Sequence, residues 1–379
     1  MSALRRALVG AAVAVALLTP ATPATAAPTA TPGGLIDVIA QPAGWRGMTA
    51  GFVVDYWMTG SQGEPVPASG ALFVPDGPPP PGGWPIMVYD HGTSGLGPNC
   101  GGQTTPDAEP LWPLFRDLVA RGIAVVAPDY LGLGRFDTGT HPYLEIRTEA
   151  TAAIDLVRAA RAANPGLSRT WAVFGESQGG QAALGAAHLQ ATYAPELDFR
   201  GTIALDPESD VEKVAPLMGP WVPHAPALDK ITDFSAYILA GLRAARPDFD
   251  VDHYLSPTGR AVVDSIGELC SAQITERLAG LSLGDLLAQP LVDDRFRSTL
   301  TGYMEVPVAG YDRPILLLVN ATDTTVPSPL HAALMAQFAA HGVDFRTVFG
   351  LGAHTDMNAA MHEATAAFIA RIFAAPAVS

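Results

Sequence analysis

The chain has 379 residues, enough for one large domain with an insertion or for two domains, and 48% of them are hydrophobic, which allows a sizeable buried core. Its formal charge of −15 excludes nucleic acid as a partner and simple electrostatic attachment to anionic lipid, because both repel an acidic surface. The basic residues are nearly all Arg, a compositional bias without functional content.

At the start of the chain Arg5 and Arg6 precede the apolar run Ala7 to Leu18, and a small-residue stretch containing Ala24-Thr25-Ala26 follows. This pattern predicts a secretory signal peptide over residues 1–26, because the run is short of the roughly 20 apolar residues that span a bilayer. The alternative is an uncleaved anchor. Export makes the expected product a secreted, extracellular protein, and in an oxidising compartment Cys100 and Cys270 are expected to pair as a disulfide. Two buried, unpaired thiols are the alternative. No His or Cys lies at ligand spacing from either, so no zinc site is expected.

A Pro/Thr/Gly tether leads into two antiparallel strands, Gly51 to Thr59 and Ala68 to Pro75. The period then changes. Ile86 to Tyr89 reads as a short buried strand, Leu111 to Arg121 as an amphipathic helix and GIAVVAPDY as a second buried strand. A helix over Glu145 to Ala163 comes next, then a strand from Trp171 to Phe174 and another in GTIALDP. Such alternation predicts an α/β fold with a mostly parallel central sheet and helices on both faces. Across 207–307 the alternation stops and Leu/Ala/Pro-rich helical segments predict an inserted cap, dividing the core into 27–206 and 308–379. Sheet logic resumes with Arg313 to Asn320, a helix from Pro329 to His341, a strand from Phe345 to Phe349 and a final helix from Met357 to Phe373.

Within this order WAVFGESQGG places Ser177 in a Gly-x-Ser-x-Gly turn between strand and helix. A serine hydroxyl needs such a turn to be exposed to a base, and Gly175 and Gly179 carry no Cβ to prevent strand and helix from approaching. Asp323 follows the strand ILLLV and His354 follows the last strand, so the chain order Ser, Asp, His is that of an α/β-hydrolase triad. Asp206, after GTIAL, is the alternative acid, and His362, inside the final helix, the alternative base. The oxyanion donors expected are the amide of Gln178, next to the nucleophile, and that of Thr93 in the loop Asp90-His91-Gly92-Thr93. His91 is expected to brace that loop; the alternative for Thr93 is that it only fills space there. Trp221, Phe234 and Tyr237 are candidates to line an acyl pocket or face a lipid surface, unless they form the cap's own core.

The motifs DHGT, PDYLGLG, GESQGG, NATDTTVP and GAHTD, with a cysteine-bearing cap, resemble the secretory lipase family of α/β-hydrolases, the lipase-A type. The resemblance implies a serine carboxylester hydrolase with a helical cap over an acyl-binding tunnel, acting on an acyl ester or lipid and needing no metal or organic cofactor. It supports Ser177, Asp323 and His354 in the catalytic roles. DHGT departs from the oxyanion pattern of many triglyceride-active members. The same machinery also suits feruloyl or acetyl esters of polysaccharide, amides or peptides, and acyl transfer.

Overall fold

The computed structural model describes residues 30–105 and 110–374; the signal peptide expected over 1–26 lies outside them. Nine strands form one sheet: β1 (Leu35–Ala40), β2 (Phe52–Thr59), β3 (Pro65–Phe73), β4 (Trp84–Asp90), β5 (Ala124–Pro128), β6 (Leu167–Glu176), β7 (Asp198–Leu205), β8 (Ile315–Asn320) and β9 (Phe345–Gly350). Their spatial order is β1-β2-β3-β5-β4-β6-β7-β8-β9. The pairs from β1 to β3 and between β3 and β5 are antiparallel, and every pair from β5 to β9 is parallel. β1 was not expected from the sequence. It is an edge strand whose LIDVIA residues are at most half-buried, so its alternation is weak.

The helices are α1 (Pro113–Ala120), α2 (Ile146–Ala163), α3 (Gln178–Tyr193), α4 (Val211–Val214), α5 (Asp229–Ala245), α6 (Pro257–Ile266), α7 (Ser271–Leu278), α8 (Leu283–Leu286), α9 (Asp294–Met304), α10 (Ser328–Ala340) and α11 (Ala359–Ala374). The two-residue strand period sorts the apolar side chains between the sheet's faces. Ile86, Val88, Trp171 and Val173 join α2 and α3 in one core, while Met87, Tyr89, Ala172 and Phe174 join α1 and α11 in another. Each fully buried aliphatic or aromatic side chain contributes about 1.5–3 kcal/mol, so both faces hold the sheet rigid beneath the loops at its carboxyl edge.

The chain between β7 and β8 carries α4 to α9 and builds its own apolar cluster, in which Tyr237, Leu242, Ile266 and Leu300 meet Leu96, Tyr143 and Leu144 from the loops above the sheet. Cys100 and Cys270 are joined by a disulfide across a sequence separation of 170 residues. The bond ties the loop after β4 to the N-terminus of α7, and the neighbouring Gly95 and Cys270 form an antiparallel bridge.

Candidate active site

β6 runs directly into α3 through Ser177, whose backbone (φ 55°, ψ −121°) lies where an L-residue is strained by roughly 1–3 kcal/mol. Four hydrogen bonds hold it there. Its amide donates to Leu205 O at 2.9 Å, and its carbonyl accepts from Gly180 N at 2.9 Å and from Gln181 N and Glu208 N at 3.2 Å. A Cβ on Gly175 would overlap the Gly179 carbonyl, and one on Gly179 would overlap the carbonyl of Asp90. The two glycines thus let α3 press against both β6 and the end of β4.

Ser177 Oγ lies 2.8 Å from His354 Nε2, and His354 Nδ1 lies 2.6 Å from Asp323 Oδ2. The other Asp323 oxygen accepts the amides of Thr325 at 2.8 Å and Val326 at 3.2 Å, which fixes the carboxylate and leaves Oδ2 for the imidazole. Burial alone would raise the Asp323 pKa, but the contacts of His331 and His354 and the Thr325 amide outweigh it and hold the carboxyl well below its ordinary value. For His354 burial disfavours the imidazolium, yet Asp323, with Glu208 and Asp206, overrides it and raises the pKa above the ordinary 6.5. The ring is therefore a stronger base than free histidine, oriented by a permanently ionised partner.

The alternative candidates have other partners. Asp206 accepts from Asn320 N at 2.7 Å, Asn320 Nδ2 at 2.8 Å and Thr355 N at 2.8 Å, so it anchors the His354 loop to the end of β8. Asp356 closes the same loop by accepting from Ala353 N at 2.8 Å. His362 is exposed on α11, outside the Ser177 groove.

Thr93 borders the groove around Ser177, and its hydroxyl meets Tyr143 OH at 2.8 Å. The Gln178 amide is the first of α3, outside the helical hydrogen-bond ladder. His91 donates from Nδ1 to Gly92 O at 2.7 Å and stacks on Tyr130 with ring centroids 4.4 Å apart. Burial depresses its pKa to about 4, so it stays neutral as a brace.

Several buried groups around the site are not evident in the sequence. Gln178 Nε2 lies 2.7 Å from both Glu149 Oε1 and His141 Nε2. His141 Nδ1 faces Leu131 O at 2.8 Å and must donate to it, so Nε2 is left to accept from Gln178. His331, on α10, places Nε2 3.5 Å from Asp323 Oδ2 and 3.9 Å from Asp206 Oδ1. Tyr89 OH donates to Glu176 Oε1 at 2.6 Å, beside the nucleophile. Helix period or chain position alone gives none of these groups a reason to face the site.

An open groove of about 640 Å³ surrounds Ser177 and His354, with Arg46, Tyr89, Gln103 and Trp112 along its walls. Next to it is an apolar chamber of about 120 Å³, lined by Leu144, Val211, Met218, Ile238 and Leu300 among others. Phe234 and Thr325 belong to the lining of both and form their boundary. Tyr237 borders neither; it is buried behind Phe234 and against Tyr143, its ring centroid 5.0 Å from the latter. Trp221 does not line the chamber, and its exposure leaves it the lipid-facing alternative. The residue is 62% exposed, and its ring folds back over Gly219.

Comparison with known proteins places this fold. A solved structure of the rice cell wall degrading esterase of Xanthomonas oryzae superposes with a TM-score of 0.71 at 21% identity, covering 90% of this chain and 97% of that one. Candida antarctica lipase A gives a TM-score of 0.69 at 20% identity, covering 92% and 84%. These likenesses make the architecture an α/β-hydrolase fold. A probable inactive lipase of Mycobacterium tuberculosis is 28% identical over 181 residues, which is 46% of this chain and 37% of that relative's length. The family model described as secretory lipase matches residues 112–378, and the chain belongs to the secretory lipase family.

Proposed function

We propose that the protein is a secreted serine carboxylester hydrolase that works through an acyl-enzyme on Ser177. The continuous contact from Ser177 Oγ through His354 to Asp323 carries this reading. In it, Ser177 Oγ attacks the ester carbonyl while His354 Nε2 takes the hydroxyl proton, and Asp323 stabilises the imidazolium. The Thr93 and Gln178 amides receive the charge that develops on the carbonyl oxygen. Collapse of the tetrahedral species breaks the bond to the alkoxy oxygen, which leaves with the proton from His354. Water, deprotonated by the same nitrogen, then releases the acid and restores Ser177. No step requires a metal or an organic cofactor.

The alcohol has to leave while the acyl group stays, which favours the wider, more polar groove for the alcohol and the smaller apolar chamber for the acyl chain. An apolar cavity of about 150 Å³ holds a benzene-sized guest, so a chamber of about 120 Å³ favours a compact acyl group over a long one. The wide, partly polar groove with Arg46 and Gln103 favours a bulky polar alcohol, such as a sugar unit, as the second reading. The disulfide and the family fit export. Leu217, Trp221 and Val292 are exposed where Met218 and Leu291 join across two loops, a suitable edge for transient contact with lipid.

The reading is tested with p-nitrophenyl esters from acetyl to palmitoyl, using Ser177→Ala beside the parent. Activity peaking at butyryl or hexanoyl and abolished in the variant is expected. Undiminished hydrolysis by Ser177→Ala would remove Ser177 from its role, and a palmitoyl optimum would reject the compact chamber.

A further inference from the structure

Among the side chains that line the apolar chamber, Glu208 is the one titratable group. Its residue is only 5% exposed, and among the described residues no hydrogen bond or ion pair engages its carboxyl, whose oxygens open onto the cavity and are not sealed inside protein. A buried carboxyl left without a donor costs free energy that apolar neighbours cannot offset. The carboxyl lies within electrostatic reach of His354 and Asp323, at the triad end of the chamber. Glu208 N donates to Ser177 O, so the residue sits against the nucleophile and not at the far end of the chamber.

Resting on the acyl-enzyme reading above, we propose that Glu208 is a specificity residue that binds a hydroxyl group carried on the acyl chain close to the ester carbonyl, making short hydroxyacyl esters the preferred substrates. The position next to Ser177 limits the carboxyl to substituents within a few bonds of the carbonyl carbon. The chamber beyond it supplies apolar contact for the short remainder of the chain. A hydroxyl suits the site better than an ammonium, because drawing a second charge into so apolar a space costs desolvation that one ion pair does not recover. Burial also pushes the Glu208 carboxyl up to about 7, so near neutrality it can either donate to the hydroxyl or accept from it.

Glu208 also lies within electrostatic reach of His354 and Asp323, and a role confined to those residues has to be separated from substrate recognition. The ratio of kcat/KM for p-nitrophenyl 3-hydroxybutyrate to that for p-nitrophenyl butyrate makes the separation, because damage to the triad lowers both and cancels. The parent is expected to favour the hydroxy ester by roughly tenfold or more, Glu208→Leu to lose that preference, and the isosteric Glu208→Gln to keep part of it. The glutamine variant keeps the test open if the leucine variant fails to fold. An equal ratio in parent and variants, or a preference shown only for the 3-aminobutyrate ester, would overturn the assignment. Hydrolysis by the parent of neither ester, nor of any p-nitrophenyl ester up to palmitoyl, overturns the esterase reading itself; hydrolysis with an unchanged ratio overturns only the role of Glu208.

Discussion

Asp206 and Asp323 leave the ends of neighbouring strands and flank one buried imidazole, with His331 Nε2 3.9 Å from the first and 3.5 Å from the second, yet only Asp323 reaches His354. The difference lies in what each carboxylate already holds. Asp206 is committed to Asn320 and to the Thr355 amide, whereas Asp323 spends one oxygen on its own turn and offers the other to the ring. Two acids that look alike in the sequence therefore divide into an anchor and an orienting partner.

Substitution separates those roles. Asp323→Asn is expected to lower kcat by about 10³ to 10⁴, because the amide no longer stabilises the imidazolium or fixes its tautomer, with little change in melting temperature. Asp206→Asn is expected to cost about 1–3 kcal/mol of stability, since at least one amide at the β8 end or in the His354 loop loses its acceptor. Steady-state kinetics and thermal unfolding of both variants check this. Equal kinetic losses would show that the anchor and the orienting acid are not distinct.

The pH dependence of activity follows from the His354 environment. The ring accepts the Ser177 proton only when neutral, and its partners raise its pKa above 6.5, so kcat/KM is expected to rise with pH through a midpoint above that value. In Asp323→Asn the carboxylate hydrogen bond that favours the imidazolium is lost and the midpoint moves down. Profiles of kcat/KM for the two proteins between pH 5 and 9 measure both positions, and a parent midpoint below 6.5 contradicts the geometry.

How far this site is legible in the sequence depends on what kind of contact carries it. Ser177, Asp323 and His354 each end or follow an apolar strand, and strand ends in a parallel sheet converge on one edge, so local pattern suffices to nominate them. Glu208, His331 and Glu149 are different. Each lies on a loop or helix where a charged residue ordinarily faces water, and each is buried only because a distant segment covers it. Trp221 illustrates the reverse: an aromatic residue in a helical region reads equally as pocket lining or as a lipid-facing side chain, and only the fold, which leaves it exposed, separates the two. The edge strand β1 escapes notice for the related reason that it has one neighbour and little alternation.

These covered carboxyls couple stability to pH. Burial raises Glu149 from 4.5 to about 8, and Glu176, Glu208 and Glu212 from 4.5 to about 7, while Asp90, fully buried without a partner among the described residues, is also pushed well up. Between pH 4.5 and 8 the folded state thus binds more protons at these sites than the unfolded chain, whose carboxyls have already ionised. Stability from them is fully present below about pH 4.5 and lost as pH rises towards 8. Asp323 has the opposite sign, but its depressed pKa acts only below the ordinary carboxylate range, and His91 and His141, which burial holds at about 4 and about 3, oppose the trend only below the ordinary histidine value of 6.5. The melting temperature is accordingly expected to fall from about pH 6.5 to pH 8, and a rise over that interval in a buffer series would contradict the protonated burial of these carboxyls.

The disulfide supplies the last test, because it joins the loop after β4, which carries Thr93, to the helical segment over the chamber. Closing a loop of 170 residues removes unfolded-chain entropy equivalent to about 5 kcal/mol in the polymer model, and removal of native disulfides costs about 2–5 kcal/mol in practice. Cys270 is the N-cap residue of α7, and next to it the Ser271 amide donates to Ser94 O at 3.0 Å. Loss of the bond therefore loosens the strand-like contact that steadies the segment after Thr93. Cys100→Ser with Cys270→Ser is expected to unfold at lower denaturant by that amount and to lose more in kcat than in KM, as the Thr93 amide, proposed above as an oxyanion donor, shifts away. Equilibrium unfolding and ester kinetics of the double variant, run beside the reduced parent, decide it; unchanged unfolding midpoints would show that the segment is held without the bond.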